Sequence, residues 1–282
     1  MKIQAYITAL LVSLCAVPAQ GQEWQEIGSD HFLVYYTGDR DFAQEVSHKA
    51  EGYYVGIASD LGYPRYSEFW TWENRVKIYI YPDRESFLRA SGQPSWSEGM
   101  ADYTNKRIMS FTHSQGFVDS ILPHEMAHLI FRDFVGFKGE VPVWLDEGVA
   151  QWAEPLKRRI IKAVSRNILD KGTFFSVEDM VKLDIRGVTN TSVVRIHSIR
   201  GADGTRSLMT LNGDVVVKVY YIEAISLVGF LIDHYGASSF TEFCRQLRDG
   251  KSLADALKFA YPMRVTSVDE LENAWLEYLR GP

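Results

Sequence analysis

The two stretches Leu122-Pro-His-Glu-Met-Ala-His-Leu129 and Val141-Pro-Val-Trp-Leu-Asp-Glu-Gly-Val-Ala-Gln-Trp152 decide the fold of this chain. Apolar residues recur at helical spacing in and around both stretches, and this spacing predicts helices over 119–135 and 142–154. The second helix carries bulky apolar side chains that can be buried against the first. The pattern therefore predicts two neighbouring amphipathic helices whose polar residues meet at one place.

The start of the first helix has suitable residues for initiation. Asp119 or Ser120 can cap it, because a short polar side chain accepts a hydrogen bond from a free N–H of the first turn. Pro123 then falls within that turn, where its missing N–H costs little. We therefore expect the helix to form across both histidines.

Two histidines and a glutamate in the first helix form the pattern His-Glu-x-x-His. His124 and His128 are four residues apart and lie one turn above the other on the same helix face. Two imidazoles at that spacing can share one tetrahedral ion, and Glu125 is offset toward the open coordination position. The pattern predicts a zinc site in which Glu125 activates the attacking water.

A catalytic zinc needs a third protein ligand and one position left for water. Glu147 is a carboxylate on the second predicted helix, with eighteen residues between it and His128. A structural zinc site would instead be closed by a fourth protein ligand, which His113 or His197 could supply. A histidine in a strand or loop is more often a surface residue, so the open site is the preferred interpretation.

With these residues the chain resembles the gluzincin metallopeptidases, which have a thermolysin-like catalytic core, and among them the compact bacterial proteins described as peptidase MA-like. The resemblance is carried by 122–129 and by Trp144-Leu-Asp-Glu-Gly-Val-Ala150. It implies one Zn²⁺ held by His124, His128 and Glu147, with Glu125 as base. It further implies hydrolysis of a peptide bond by the zinc-bound water.

Two more residues are candidates for the site. The segment 221–236 resembles a later helix of this family, whose leading tyrosine points into the site, so the resemblance implies Tyr221 as a hydroxyl donor. Tyr220 is adjacent, and a tyrosine packed at a helix start is the alternative. Glu154 lies seven residues after Glu147, nearly on the same helical face, where it either hydrogen-bonds the outer nitrogen of a ligand histidine or is a surface residue.

The pattern along the whole chain predicts an α+β fold of zincin-like type. Residues 22–155 form a mixed sheet with helices, and 156–282 form a mainly helical part that completes the cleft, with 186–218 an inserted hairpin. We expect strands at 31–36, 76–81 and 207–218 and a 100–111 hairpin that turns at Asn105-Lys106. The other predicted helices are 41–61, 84–90, 156–170, 176–183, 219–235, 238–248, 251–259 and 267–279.

The N-terminus predicts export. Residues 1–21 have a basic start, an apolar run and small residues at the end, as in a signal peptide, so the mature chain is expected in the periplasm or outside the cell. Cys15 could alternatively mark a lipid anchor, although Leu14 before it is bulky. Once residues 1–21 are removed, Cys244 is alone and no disulfide is expected. The apolar run 222–232 contains Glu223 and is too short to cross a bilayer, so no transmembrane segment is expected.

The resemblance implies a peptide or protein substrate as the partner, and charge and strand sequence add to this expectation. The formal net charge of −6 argues against nucleic acid or anionic lipid as the main partner. The segment Glu98-Gly-Met-Ala-Asp-Tyr103 lacks the Gly-x-Met-Glu-Asn strand of the related aminopeptidases, which favours an endopeptidase. The hairpin 99–111 could bind an extended substrate by strand addition, or simply cover the core. The competing function is a catalytically silent zincin-fold protein that binds peptides or an envelope partner.

Overall fold

A computed structural model describes residues 23–62, 70–95, 97–136, 141–200 and 205–281. The predicted signal peptide and residues 201–204 of the predicted insertion lie outside these residues. Within them the chain has the predicted α+β fold, with one mixed sheet, a smaller second sheet and many helices.

The first sheet has five strands. They are β1 (Gln25–Gly28), β2 (Phe32–Tyr36), β3 (Val76–Tyr81), β4 (Gly99–Asp102) and β5 (Arg107–Phe111), arranged in the order β1-β2-β3-β5-β4. The three central strands are parallel, whereas β1 and β4 pair antiparallel at the two edges. β4 therefore forms one edge of the sheet, and the predicted hairpin β4–β5 is confirmed.

Helices cover both faces of this sheet. The inward positions of β3 are Val76, Ile78 and Ile80, all fully buried, as its alternating pattern predicts. Helix α1 (Arg40–Asp60) packs on the same side as these residues, and α2 (Arg84–Ser91) covers the opposite side through Phe87. The central strands are thus enclosed, which is usual for parallel strands.

The remaining chain is mainly helical. Its helices are α3 (Leu122–Val135), α4 (Val143–Trp152), α5 (Pro155–Asp170), α6 (Val177–Lys182), α7 (Gly213–Tyr235), α8 (Ala237–Arg248), α9 (Leu253–Ala260) and α10 (Val268–Arg280). A second, antiparallel sheet contains β6 (Phe174–Phe175), β7 (Val193–Arg200) and β8 (Thr205–Asn212), in that order. The predicted helices are confirmed to within a few residues, except at the start of α7.

The start of α3 differs from the prediction. A π-helical turn, Phe117–Ile121, precedes the α-helix, and no side chain caps it. Ser120 instead donates to Glu154, and Asp119 pairs with Lys49, so the expected capping role of both residues is wrong. Both side chains bond to partners far away in the sequence. Pro123 lies in the first turn of α3, as predicted.

The inserted hairpin is shorter than predicted. It ends at Asn212, and 213–218 form the first turns of α7 instead of continuing a strand. The valine-rich run favours a strand locally, but Val216 and Val219 are buried against the core on one helix face. Tertiary packing therefore overrides the local preference. The short strands β1 and β6 were not predicted, because neither has a pattern of its own.

One continuous core joins the two halves of the chain. Helices α4 and α7 approach closely: an added Cβ on Gly148 would lie 2.6 Å from the Ala224 carbonyl oxygen, and one on Gly229 would lie 2.2 Å from the Trp152 ring. At Gly148 the backbones of the two helices lie close together, and at Gly229 the α7 backbone lies against the Trp152 side chain. The position of α4, and of Glu147 on it, is therefore set by α7.

Helix α7 is longer than the apolar run 222–232 suggested. By length and composition it could cross a membrane, with a mean hydropathy of 2.0 over an 18-residue window. Within the structure 72% of that window is buried. Such burial is typical of a core helix, and the absence of a transmembrane segment stays a prediction.

Candidate metal centre

Helix α3 brings two imidazole nitrogens together. His124 and His128 stand one turn apart on its inner face, and their Nε2 atoms are 3.3 Å from each other. His128 is buried, and His124 is partly exposed toward the cleft. The two rings are nearly perpendicular, at 80°, so their nitrogens converge while the rings avoid contact over their faces.

Helix α4 adds the carboxylate of Glu147 to this pair. Its Oε2 lies 3.9 Å from His124 Nε2, and its Oε1 lies 4.0 Å from His128 Nε2. Among the described residues, this is the one group of three such side chains whose donor atoms all lie within 4.8 Å of one another. Tetrahedral zinc, with ligands at about 2.1 Å, holds its donor atoms about 3.4 Å apart. Two imidazoles and one carboxylate at this spacing fit zinc and leave one coordination position free.

Glu154 lies behind His124. Its Oε1 is 2.9 Å from His124 Nδ1, and it also accepts hydrogen bonds from Ser120 and Lys157, at 2.5 and 2.7 Å. Burial raises the pKa of Glu154, but the hydrogen bonds from these three partners outweigh it and the net pKa is lowered. The carboxylate is therefore held ionised, and it favours the His124 tautomer that carries its proton on Nδ1.

The sequence predicted Glu154 on the same helical face as Glu147, and this reason for its contact with His124 is wrong. Glu154 does not continue the helical face of Glu147, because α4 ends at Trp152. Pro155 begins a new helix, and Glu154 is the N-cap residue of α5, with an extended backbone. The change of direction turns its side chain back toward α3.

Asp146 is hydrogen-bonded to His128, the second histidine of the pattern. This residue was not identified from the sequence. Its Oδ1 is 3.0 Å from His128 Nδ1, and its Oδ2 accepts from Arg132 Nη2 at 2.5 Å. Burial raises the pKa of Asp146, but the hydrogen bond from His128 and the nearby Arg132 guanidinium bring it below its usual range. The available signal was its position beside Glu147, combined with an arginine one turn after His128.

The same neighbours act on His128. Burial lowers the pKa of its imidazole, but the hydrogen bond to Asp146 and the negative charge of Asp146 and Glu147 outweigh burial and raise it overall. Because the His128 imidazole holds its proton more strongly, protons compete with a metal ion for it. Metal binding should therefore weaken in acid.

Neither a scan against models of known protein families nor a search of curated proteins finds a match to this chain. The resemblance to gluzincin peptidases therefore rests on 122–129, 144–150 and 221–236 alone. What that resemblance implies about activity is a proposal, to be supported by the geometry of the side chains.

Glu125 lies beside the three candidate metal ligands and near the edge strand β4. The backbone of Ala101 on β4 lies close enough to its carboxyl to favour the charged form. Burial raises the pKa of its carboxyl, although the adjacent histidines oppose that rise. A cavity of about 330 Å³ opens beside Glu125 and His124, between the start of β4 and the first turn of α5. A carboxyl of raised pKa at the wall of a cavity is suited to accept and return a proton.

Both tyrosines of α7 lie near Glu147. Its negative charge raises the pKa of the Tyr220 and Tyr221 hydroxyls, after the larger effect of burial. Tyr220 is only 1% exposed, whereas Tyr221 is half-buried and more accessible to a substrate. Both hydroxyls lie close enough to Glu147 to feel its charge, and the choice between them stays a prediction that favours Tyr221.

Tyr103 approaches from the opposite side. It follows β4 in the hairpin turn, and its ring lies edge-on to His128 at 6.0 Å between centroids. Burial raises the pKa of its hydroxyl, and the charges of Glu125 and Asp146 add to that rise.

The two other histidines considered as ligands have separate partners. His113 pairs with Asp39 at 3.0 Å, and His197 pairs with Asp179 at 2.8 Å. Neither belongs to the group of three donor residues. Within the described part of the chain, the group contains only His124, His128 and Glu147, and an open zinc site stays a prediction.

Proposed function

We propose that this chain is a zinc metallopeptidase of gluzincin type that hydrolyses internal peptide bonds of peptides or proteins. The observation that carries the proposal is the convergence of His124, His128 and Glu147, from two different helices, with Glu125 beside them. Three ligands that leave one position free are typical of catalytic zinc.

Two sets of residues would hold the ion, one in contact with it and one that supports the contacting side chains. His124, His128 and Glu147 contact it, while Glu154 and Asp146 orient the two imidazoles. When bound, zinc polarises the substrate carbonyl and lowers the pKa of its water ligand to about 7.

Glu125 performs the proton transfers. It accepts the proton of the attacking water and passes it to the leaving amine. The hydroxyl of Tyr221 donates a hydrogen bond to the oxygen that becomes negative as the carbonyl is attacked. The Glu125 side chain is partly buried at the wall of the cavity, where burial raises the pKa of its carboxyl and favours its holding the proton between the two transfers.

The edge strand β4 is the proposed place for the peptide backbone. It pairs with β5 on one side only, and its Ala101 lies near the Glu125 carboxyl. An extended peptide added to this edge would pass the metal centre and the adjacent cavity. The sequence at 98–103 lacks the amino-terminal anchor of the related aminopeptidases, which supports internal cleavage.

Metal analysis together with proteolysis tests the proposal. The mature wild type should contain one zinc per chain and cleave casein in a chelator-sensitive way, whereas Glu147→Ala should lose the metal and the activity. Glu125→Gln should keep the zinc and lose turnover by a factor of about 100 or more. Full activity of Glu125→Gln would show that the base is wrong, and wild type without zinc would refute the whole assignment.

The catalytically silent alternative gives a different result in the same experiment. Stoichiometric zinc without cleavage of any protein tested would favour a binding protein with a zincin-like fold. The export of the chain to the periplasm or cell exterior is a separate proposal, which sequencing the N-terminus of the mature protein would test.

A further inference from the structure

We propose that Arg132 is a positioning residue that joins the β4–β5 hairpin to the ligand histidine His128. The proposal rests on the proposed zinc site. It connects β4, the strand expected to bind substrate, to His128, which is expected to bind the metal. Arg132 lies one turn after His128 on α3, so His124, His128 and Arg132 share one helix face.

The first contact of Arg132 is with Asp146. Its Nη2 donates to Asp146 Oδ2 at 2.5 Å, and Asp146 Oδ1 is 3.0 Å from His128 Nδ1. The guanidinium thus occupies one carboxylate oxygen and leaves the other directed at the histidine. It also compensates the charge of Asp146, which is only 8% exposed.

The second contact of Arg132 is with the hairpin. The guanidinium carbon lies 4.7 Å from the centre of the Tyr103 ring, and the same ring lies edge-on to His128. A guanidinium can stack on an aromatic ring with its face and donate with its edge at the same time. Arg132 uses both properties, and a lysine could supply only the charge.

The hairpin has another, independent attachment to α3. Lys106 Nζ lies 2.7 Å from Asp133 Oδ2, and Trp70 Nε1 donates to the same oxygen at 2.8 Å. This attachment involves neither Asp146 nor His128. It therefore offers a control that loosens the hairpin without changing the support of the histidine.

The test is the zinc dissociation constant of the purified full chain, measured by competition with a chelating dye. Arg132→Met should weaken zinc binding by about 10- to 100-fold, the usual effect of losing support behind a ligand. Tyr103→Ala should weaken it by about 3-fold or more through the freed guanidinium, and Tyr103→Phe should match wild type. Added to Arg132→Met, Tyr103→Ala should have a clearly smaller effect than in wild type, because only the edge contact of its ring with His128 is then left to lose.

Two control variants should leave zinc affinity unchanged. Lys106→Met removes the other hairpin attachment. Arg245→Met removes a guanidinium that stacks on Phe134 of the same helix at 5.3 Å. If Arg132→Met failed to fold, Arg132→Lys would replace it, and the effect of Tyr103→Ala should again be smaller than in wild type.

Each outcome has a defined meaning. Wild-type zinc affinity in Arg132→Met, or an equal effect of Tyr103→Ala with and without Arg132, overturns the inference. So does a loss in Lys106→Met as large as that in Tyr103→Ala, because the cause would then be general loosening of the hairpin. Absence of zinc in wild type would refute the proposed function instead, which keeps the two failures apart.

Discussion

The carboxylate of Glu154 faces three donors, His124 Nδ1, Ser120 Oγ and Lys157 Nζ. It is 4% exposed, so these partners replace nearly all of its hydration. A buried carboxylate of this kind is stable only while its donors remain in place. Glu154 therefore connects α5 and the π-helical turn before α3 to the orientation of one ligand histidine.

Replacing Glu154 with glutamine tests that connection. Glu154→Gln keeps the shape of the side chain but removes the charge that makes His124 a stronger ligand. We expect zinc affinity to fall by about 10-fold or more, measured by chelator competition. The fold should change little, which circular dichroism would check.

A matched control is Asp60→Asn. Asp60 also pairs with a basic residue of α5, Arg158, but its described contacts include neither histidine. Zinc affinity should be unchanged in this variant. An equal loss in both variants would mean that α5 stability, and not the support of His124, causes the effect.

At the scale of elements, the crossing of α4 and α7 places Glu147, the proposed third metal ligand. Gly148 follows Glu147 directly, and Ala224 of α7 lies against it. A side chain at this position would push the helices apart, and Glu147 would move with α4. The glycine is needed for the close approach of the helices, since its backbone is ordinary helix.

Gly148→Ala is expected to destabilise the protein. The added Cβ would meet the Ala224 oxygen and Val228 Cγ2, each at 2.6 Å, and overpacking of this kind costs about 1–3 kcal/mol. Urea unfolding would measure the change in free energy. The variant should also bind zinc more weakly, because Glu147 is displaced.

The control for this prediction is another glycine-to-alanine change inside a helix. Gly52 lies in α1, and an added Cβ there would meet nothing within 4 Å. Gly52→Ala should stabilise the protein by about 0.5–1 kcal/mol, because alanine is the better helix former. If both variants changed the free energy of unfolding in the same direction, the close contact at Gly148 would not be the cause of its effect.

The structure also shows where element boundaries follow from local sequence. The strand β3 and the helices α5, α8 and α10 appear within two residues of their predicted positions, because their own apolar periodicity is strong. The start of α7 was wrong by six residues, since a run of valines favours a strand when considered alone. The π-helical turn before α3 likewise has no recognisable local pattern.

At the scale of the whole molecule, buried acids attach the second sheet to the helices. Glu223 of α7 is fully buried and accepts from the Phe175 N–H at 2.6 Å. Glu272 of α10 accepts from the Val177 N–H and from Arg206 of β8. Burial raises the pKa of Glu223 well above its usual range, and the charge of Glu272 adds to this, although the hydrogen bond from Phe175 opposes it.

This raised pKa predicts a pH dependence of stability. The folded state keeps the Glu223 proton above the unfolded pKa of about 4.5, so the unfolded state binds fewer protons and stability falls as pH rises. The loss reaches at most about 1.4 kcal/mol per pH unit and ends at the raised folded pKa. Glu223→Gln removes it and should be increasingly more stable than wild type as pH rises.

Urea unfolding of both proteins between about pH 5 and pH 8 would measure this difference. Glutamine keeps an acceptor oxygen for the Phe175 N–H, so the hydrogen bond should survive. A constant difference in unfolding free energy across the range would show that Glu223 does not retain its proton. The metal concentration has to be equal in all samples, because zinc binding also stabilises the folded state.

The sequence by itself determined the α+β fold class, most helices and strands, and the set of three residues whose donor atoms converge. His124 and His128 come from one helix turn, and Glu147 lies on a helix whose apolar face had to pack nearby. Local periodicity and short spacing are enough for such features, because they depend on the geometry of one element at a time.

Only the tertiary structure decided what supports those residues. The contact of Glu154 with His124 depends on the chain turning at Pro155, and the series from Tyr103 through Arg132 and Asp146 joins three separate elements. The edge position of β4 and the close crossing of α4 with α7 depend on the order of strands and on contacts far apart in sequence. These contacts could not be predicted from one segment, because burial and charge compensation arise only when the segments of the chain pack together.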